Sequence, residues 1–201
     1  ELHNKRILMV WTDMASWKMT AGLELYATLL DKRVNTGFVP TGQIGITIMG
    51  NGIPLDAIKV DHAAGSVQEA VLEQKDKDIV IIEGQGSFAH PGSTATLPLM
   101  RGSQPTHLIL CHKATHDHLR YPVSHIPIPP LDEFIRLNEA MTGVCGSQTQ
   151  AKTLGIALNT IGLSDEEAQR KVEETENKTG LPTTDVIRFG IDKLLDAVLN
   201  S

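Results

Sequence analysis

The stretch Lys5–Thr20, KRILMVWTDMASWKMT, constrains the fold of this chain more than any other. A short apolar run, Ile7–Val10, feeds a polar turn, and the turn opens into a helical segment headed by Lys18. Strand, turn, lysine and helix in that order form the skeleton of a phosphate-binding loop. In such a loop glycines let backbone N–H groups close round phosphates, and the lysine supplies charge. The general pattern is G-x-x-x-x-G-K-[ST]. Aligned on Lys18, its first glycine slot holds Thr12, its second holds Trp17, and its Ser/Thr slot holds Met19, with Thr20 one place later. By pattern alone the motif fails, and a strand followed by a helix with an exposed lysine is the simpler reading.

The rest of the chain alternates apolar runs with helical stretches, as a mostly parallel sheet covered on both faces requires. Strands are expected at Arg6–Val10, Val34–Pro40, Asp78–Glu83, Leu108–Cys111 and Thr153–Leu158, with a further strand end near Ile58–Val60 and a short one in LPTTDVIRFG. Asp78–Glu83, DIVIIE, is continuous and β-branched, the mark of a strand buried on both faces. Helices are expected from about Lys18 to Leu30, through DHAAGSVQEAVLEQ, over Ser164–Lys178 and over Ile191–Leu199. Ser164 with Glu167 three residues on reads as a capping box. Ile46–Met49 is a short apolar piece closed by a GNG turn, while Ala89–Gln104 and His112–Pro130 read as long loops. Loops of that length in a small domain are more often functional than idle.

Composition narrows the partners. A length of 201 residues suits one α/β domain, read here as residues 1–201. A net charge of −6 argues against nucleic acid or an anionic membrane surface as the main partner. A small-molecule substrate is the expected partner, and a homo-oligomer is compatible with the sequence. No run is long enough to span a membrane, and no signal-peptide pattern precedes the first strand. Two cysteines, Cys111 and Cys145, are too few for a disulfide framework, so a reducing cytoplasm is the expected setting. Cys145 reads as structural.

WTDMASWKMT resembles the GTDxxxGKxT loop of a bacterial and archaeal family described as a domain of unknown function and associated with D-glutamate N-acetyltransferase. More distantly it resembles the loop of dethiobiotin synthetases. Gly37–Ile46, Gly50–Gln68, Ile79–Gly92, Leu99–His112 and the LPTTDVIRFG segment resemble the same family, so the likeness spans most of the chain. It implies a three-layer α/β fold of the P-loop NTPase type. It also implies that the family's N-terminal Rossmann-like domain is missing here. Thr12, Asp13, Ala15, Ser16, Trp17, Lys18, Met19 and Thr20 become the loop positions that would hold a cofactor. Lys18 would neutralise phosphate, and Thr20 would offer a hydroxyl to phosphate or metal. Trp11 and Trp17 stand where the family has glycine. An indole adds roughly 200 Å² of ring surface where a phosphate needs bare backbone. The resemblance therefore implies a phosphate site with impaired binding.

Other residues qualify on position and chemistry. Glu83 ends the clearest strand and is followed by GQG, where open α/β sheets place ligands. It is a candidate base, and a magnesium-facing residue together with Thr20 if a magnesium nucleotide binds. Asp61 and His62 follow an expected strand end, a region that the resemblance to dethiobiotin synthetases implies faces substrate, so Asp61 is a candidate substrate contact and His62 a candidate base near neutral pH, although Asp61 serves equally well as a helix N-cap. His90 in SFAHPG, near Glu83, is a candidate contact to an acyl group or carboxylate, and Arg101 a candidate carboxylate partner. Asn159, at a strand end, suits either a purine base or a turn. His112, His116 and His118 lack standard metal-ligand spacing and read better as pocket-lining loop residues. Three functions are compatible with these residues. One is an acetyl-CoA-dependent N-acyltransferase on an acidic D-amino acid, as the resemblance implies. The others are an ATP- and Mg²⁺-dependent ligase or kinase-like enzyme, and a non-catalytic scaffold plugged by its tryptophans.

Overall fold

Both faces of the first strand are apolar, which places it inside a sheet with helices above and below. The computed structural model describes residues 2–14, 17–143, 146 and 148–201. Its six strands are β1 (Lys5–Trp11), β2 (Thr36–Val39), β3 (Ile79–Ile82), β4 (His107–Lys113), β5 (Lys152–Asn159) and β6 (Thr183–Thr184). They form one parallel sheet in the order β2-β3-β1-β4-β5-β6. Along β1, Leu8 and Val10 join one core cluster while Ile7, Met9 and Trp11 join the other. The helix α1 (Trp17–Asp31) and α7 (Asp192–Leu199) cover the second face through Leu25, Leu29, Leu194 and Val198. The helices α3 (Val60–Leu72), α4 (Thr96–Ser103) and α5 (Leu131–Gly143) cover the first through Val67, Val71, Leu99, Met100 and Phe134. Two further helices, α2 (Gln43–Met49) and α6 (Asp165–Thr179), complete a three-layer α/β fold. Ser164 and Glu167 make the expected capping box on α6.

Three local expectations change. Ile46–Met49 is the second half of α2, which Gly50 ends in a left-handed conformation at φ 74° with its N–H on the Ile46 carbonyl. Ile58–Val60 is no strand end. A 3₁₀ turn at Leu55–Ala57 runs directly into α3, and Lys59, not Asp61, occupies the N-cap position. With no strand edge beside it, this segment buries Ile53 and Leu55 in the core beneath the helices.

The third change is α4, which lies inside the expected Ala89–Gln104 loop. Pro98 and Gly102 read as breakers, but Pro98 falls in the first turn, where its missing N–H has no intrahelical partner to lose. Gly102 is demanded by packing: a Cβ there would stand 2.3 Å from the Ala64 carbonyl oxygen of α3. No element was expected over Leu131–Gly143, yet α5 buries Phe134, Ile135 and Asn138. The expected His112–Pro130 loop begins two residues later, because His112 and Lys113 belong to β4; residues 114–130 form a long connection with one bridge between His118 and Pro127. Among the described residues no helix is long and apolar enough to cross a membrane.

Candidate functional site

Chain direction diverges at β1, with β3 and β2 on one side and β4 to β6 on the other. The C-terminal ends of strands at such a switch point are where open α/β sheets leave a crevice. A cavity of about 350 Å³ lies there, lined by residues that include Met14, Lys18, Gly42, Glu83, Gly84 and Gln85. A larger groove, about 490 Å³, lies at the opposite edge beside Leu2, Arg6 and Gln104. The Arg6 guanidinium is already committed to the Asn4 and Gln104 carbonyls. Chemistry, not size, selects the first cavity.

Lys18 is buried in the first turn of α1. Its ammonium sits 5.9 Å from the centroid of the Trp11 ring and 3.4 Å from the Gly86 carbonyl oxygen, which accepts its hydrogen bond. Burial lowers its pKa, while Cys111, Glu83 and Asp13 act in the opposite direction. Burial pushes the Cys111 thiol up to about 12, so that it stays protonated near neutral pH. Glu83 is buried just past β3. Its Oε2 accepts from the Thr41 and Gly42 backbone N–H groups at 2.9 and 3.1 Å. The Thr41 hydroxyl donates to the Glu83 carbonyl at 2.8 Å. Thus Glu83 pins the turn that opens α2, and position 45 needs glycine because a Cβ there would lie 2.3 Å from Oε2.

Behind the loop, Thr12 and Asp13 are buried and tied to the end of β4 and to the connection that follows it. The Thr12 hydroxyl is 2.9 Å from His112 Nδ1. Asp13 accepts from its neighbour Met14 N–H at 2.6 Å and from Arg120 N–H at 3.2 Å. Burial, aided by the nearby His116, drives the His112 pKa down to about 4. The imidazole is therefore a neutral hydrogen-bonding group at physiological pH. Met19 lines the cavity with Lys18; Thr20, half-buried on α1, does not. Ala15 and Ser16, like Cys145, lie outside the described residues.

Neither tryptophan lines the cavity. Trp11 is a core residue of β1, and Trp17, first in α1, packs half-buried against the same cluster. Both indole N–H groups are buried without a hydrogen-bond partner among the described residues.

The remaining candidates lie elsewhere. Asp61 and His62 are exposed on the first turn of α3 and line neither this cavity nor its neighbour. His90 Nδ1 accepts from Gly92 N–H at 3.1 Å, closing a local turn. Arg101 is exposed in the last turn of α4, which has by then run back toward the start of β1. Asn159 is buried at the end of β5, where its Oδ1 accepts from Ile161 N–H at 2.8 Å in a tight turn. The residues that sequence reasoning passed over are Met14, Gly42, Asp56 and Gln85 on the cavity wall, while His112, expected to line the pocket from a loop, instead lies at the end of β4 behind Thr12. Only the glycine-rich TGQIG and GQG segments carried a signal for them.

Among the described residues no three His, Cys, Asp or Glu side chains gather in a metal-binding group. Glu83 has one oxygen committed to two amides, and the Thr20 hydroxyl is not on the cavity wall. These side chains make no complete cage for magnesium, which in nucleotide sites takes one or two protein oxygens and fills its octahedral shell with phosphate and water.

The sequence matches the P-loop domain of DUF1611_C, a domain of unknown function, over residues 1–195. The chain belongs to this family. A D-glutamate N-acetyltransferase from Tritonibacter scottomollicae is 37% identical over 195 residues, covering 96% of this chain and 58% of that protein. The crystal structure of a DUF1611 protein from Anabaena variabilis superposes with a TM-score of 0.96 at 48% identity, over 100% of this chain and 58% of that one. The chain thus spans somewhat more than half of the relatives it matches. Cobyrinic acid a,c-diamide synthase from Mycobacterium smegmatis, solved with bound ADP and magnesium, superposes with a TM-score of 0.58 at 12% identity, covering 96% of this chain and 91% of that one. That likeness shows the fold, which is the P-loop NTPase fold.

Proposed function

We propose that this DUF1611_C domain is the coenzyme-binding portion of an N-acyltransferase that acetylates an acidic D-amino acid, with acetyl-CoA as donor. The observation that carries the proposal is the convergence of Lys18, Glu83 and the Gly42 and Gly84 backbone on one cavity at the end of β1 and β3. Among the described residues Lys18 is the one cation on that cavity wall, and it would meet the phosphates of the coenzyme beside the N-terminus of α1. The D-glutamate N-acetyltransferase relative supports the choice of reaction.

The same reading gives a loose grip. Trp11 and Trp17 stand where the resemblance puts glycines, and Lys18 already has the Trp11 ring and the Gly86 carbonyl as partners. A cation–π contact of this kind is worth about 1 kcal/mol, so a phosphate that drew the ammonium off the ring would lose about fivefold in affinity. Calorimetric titration of the chain with acetyl-CoA and with Mg-ATP tests the proposal. Acetyl-CoA should bind in the high micromolar range or weaker, more tightly than Mg-ATP, and Lys18→Met should abolish it. Tight Mg-ATP binding, or a Lys18→Met variant that binds acetyl-CoA unchanged, would refute it.

A further inference from the structure

The Lys18 cavity has a neighbour. A second cavity, of about 210 Å³, adjoins it, and Met14, Asp56 and Gln85 line both. Their chemistry differs. The first holds Lys18 and Glu83. The second has no Lys, Arg or His on its wall among the described residues; its floor is Leu55, Ile58, Ala63 and Pro98, and its polar side carries Ser93 and Thr94.

That polar side is fixed in advance. Ser93 Oγ accepts from Ser87 N–H at 3.1 Å and shares a hydrogen bond with Thr96 Oγ1 at 2.8 Å, and Thr96 donates to the Gln85 carbonyl at 3.1 Å. Gly86 closes the arrangement at φ 67°, where a Cβ would come within 2.0 Å of Ser93 Oγ. The cavity is a built surface, held by its own hydrogen bonds.

Charge decides what it can take. A phosphate or carboxylate placed there would face Asp56 with no cation to offset it. A purely hydrocarbon group would leave the Gln85 side-chain amide and the Thr94 hydroxyl desolvated without partners. A chain that alternates methylenes with amides meets both demands.

Resting on the function proposed above, we infer that the second cavity holds the uncharged, amide-bearing arm of the thioester cosubstrate, whose phosphates lie at Lys18. The two halves of one molecule are sorted by charge across the Met14–Asp56–Gln85 wall.

Filling the second cavity separates the two halves. Thr94 lies on its rim outside the buried core, so Thr94→Tyr narrows the cavity without disturbing that core. Ala95→Leu fills it from the N-cap of α4. Calorimetry would compare acetyl-CoA with ADP, which carries phosphates but no arm, on the chain and on both variants. The chain should bind acetyl-CoA roughly tenfold more tightly than ADP, and each variant should lose that advantage while binding ADP unchanged. Unchanged acetyl-CoA affinity in both variants, or equal loss of ADP and acetyl-CoA in Thr94→Tyr, would overturn the inference. Lys18→Met keeps the two proposals apart. If it abolishes binding of both ligands while Thr94→Tyr does nothing, the phosphate site stands and only the arm site falls.

Discussion

Lowering the pH should unlatch the loop through His112. Its ring is buried at the end of β4, with Nδ1 2.9 Å from the Thr12 hydroxyl that begins the loop. Burial first, and the nearby His116 second, bring its pKa from 6.5 to about 4 in the folded chain. The folded protein thus holds this proton less readily than the unfolded chain does. Above about pH 6.5 neither state is protonated there, and the stability is whole. Between about 6.5 and about 4 the unfolded chain takes up the proton first, and stability falls as pH falls. At about 1.36 kcal/mol per tenfold change in proton affinity, the whole window is worth roughly 3 kcal/mol, most of it gone by about pH 4.5. That is a large share of the ~5–15 kcal/mol that holds a domain folded. Urea denaturation at pH 7.5 and 4.5, followed by the fluorescence of the two tryptophans, would measure it. His112→Asn keeps a hydrogen-bonding group beside Thr12 but cannot titrate. The native chain should lose about 2 to 3 kcal/mol more than His112→Asn between the two pH values. Because His107 is retained in the variant, its contribution cancels in the difference, while the coupling of His112 to His116 is part of what the difference measures. Equal losses in the two proteins would refute the reasoning.

Two further perturbations test the packing round the cavity. Gly84→Ala should be severe, because the new Cβ would lie 1.7 Å from the Met9 carbonyl oxygen of β1 and 2.9 Å from Lys18 Cδ. Separating β1 from the end of β3 should cost about 3 kcal/mol or more, and a melting temperature within about 2 °C of the parent would contradict so close an approach of these two strands. Returning glycine to the loop should have unequal effects. Trp11→Gly empties a core position and should cost about 3 to 5 kcal/mol, whereas Trp17→Gly, from a half-buried site, should cost clearly less; circular dichroism during denaturation would show whether the two losses differ.

Several parts of this site were open to reading from residue order alone. Ile7–Val10 and Ile79–Ile82 are apolar on every residue, so they had to be strands covered on both faces. Ser164 and Glu167 declared a helix start because the capping bonds span only three residues. Local chemistry of this sort needs no knowledge of the rest of the chain. By contrast, α4 was hidden because Pro98 and Gly102 signal a break unless one knows that the first lies in the opening turn and the second against α3. His62 and Arg101 illustrate the same limit. Their side chains suit chemistry, but α3 and α4 carry them out to solvent, away from Lys18.

By itself, then, the order of residues determined a parallel α/β sheet with a loop and a lysine at the end of its first strand. Periodicity and capping are properties of neighbours in the chain. Only the tertiary structure decided which groups face that lysine. Glu83 meets the Thr41 and Gly42 amides across 42 and 41 residues, and Thr12 meets His112 across 100. The two tryptophans make the point most directly. Their positions in the sequence set their rings in the mouth of a phosphate loop. Strand alternation turned Trp11 into the core beneath Lys18, and helix packing drew Trp17 against the same cluster. The direction of a side chain is decided by the sheet and helices that bury it, and those are assembled from residues far apart in the chain.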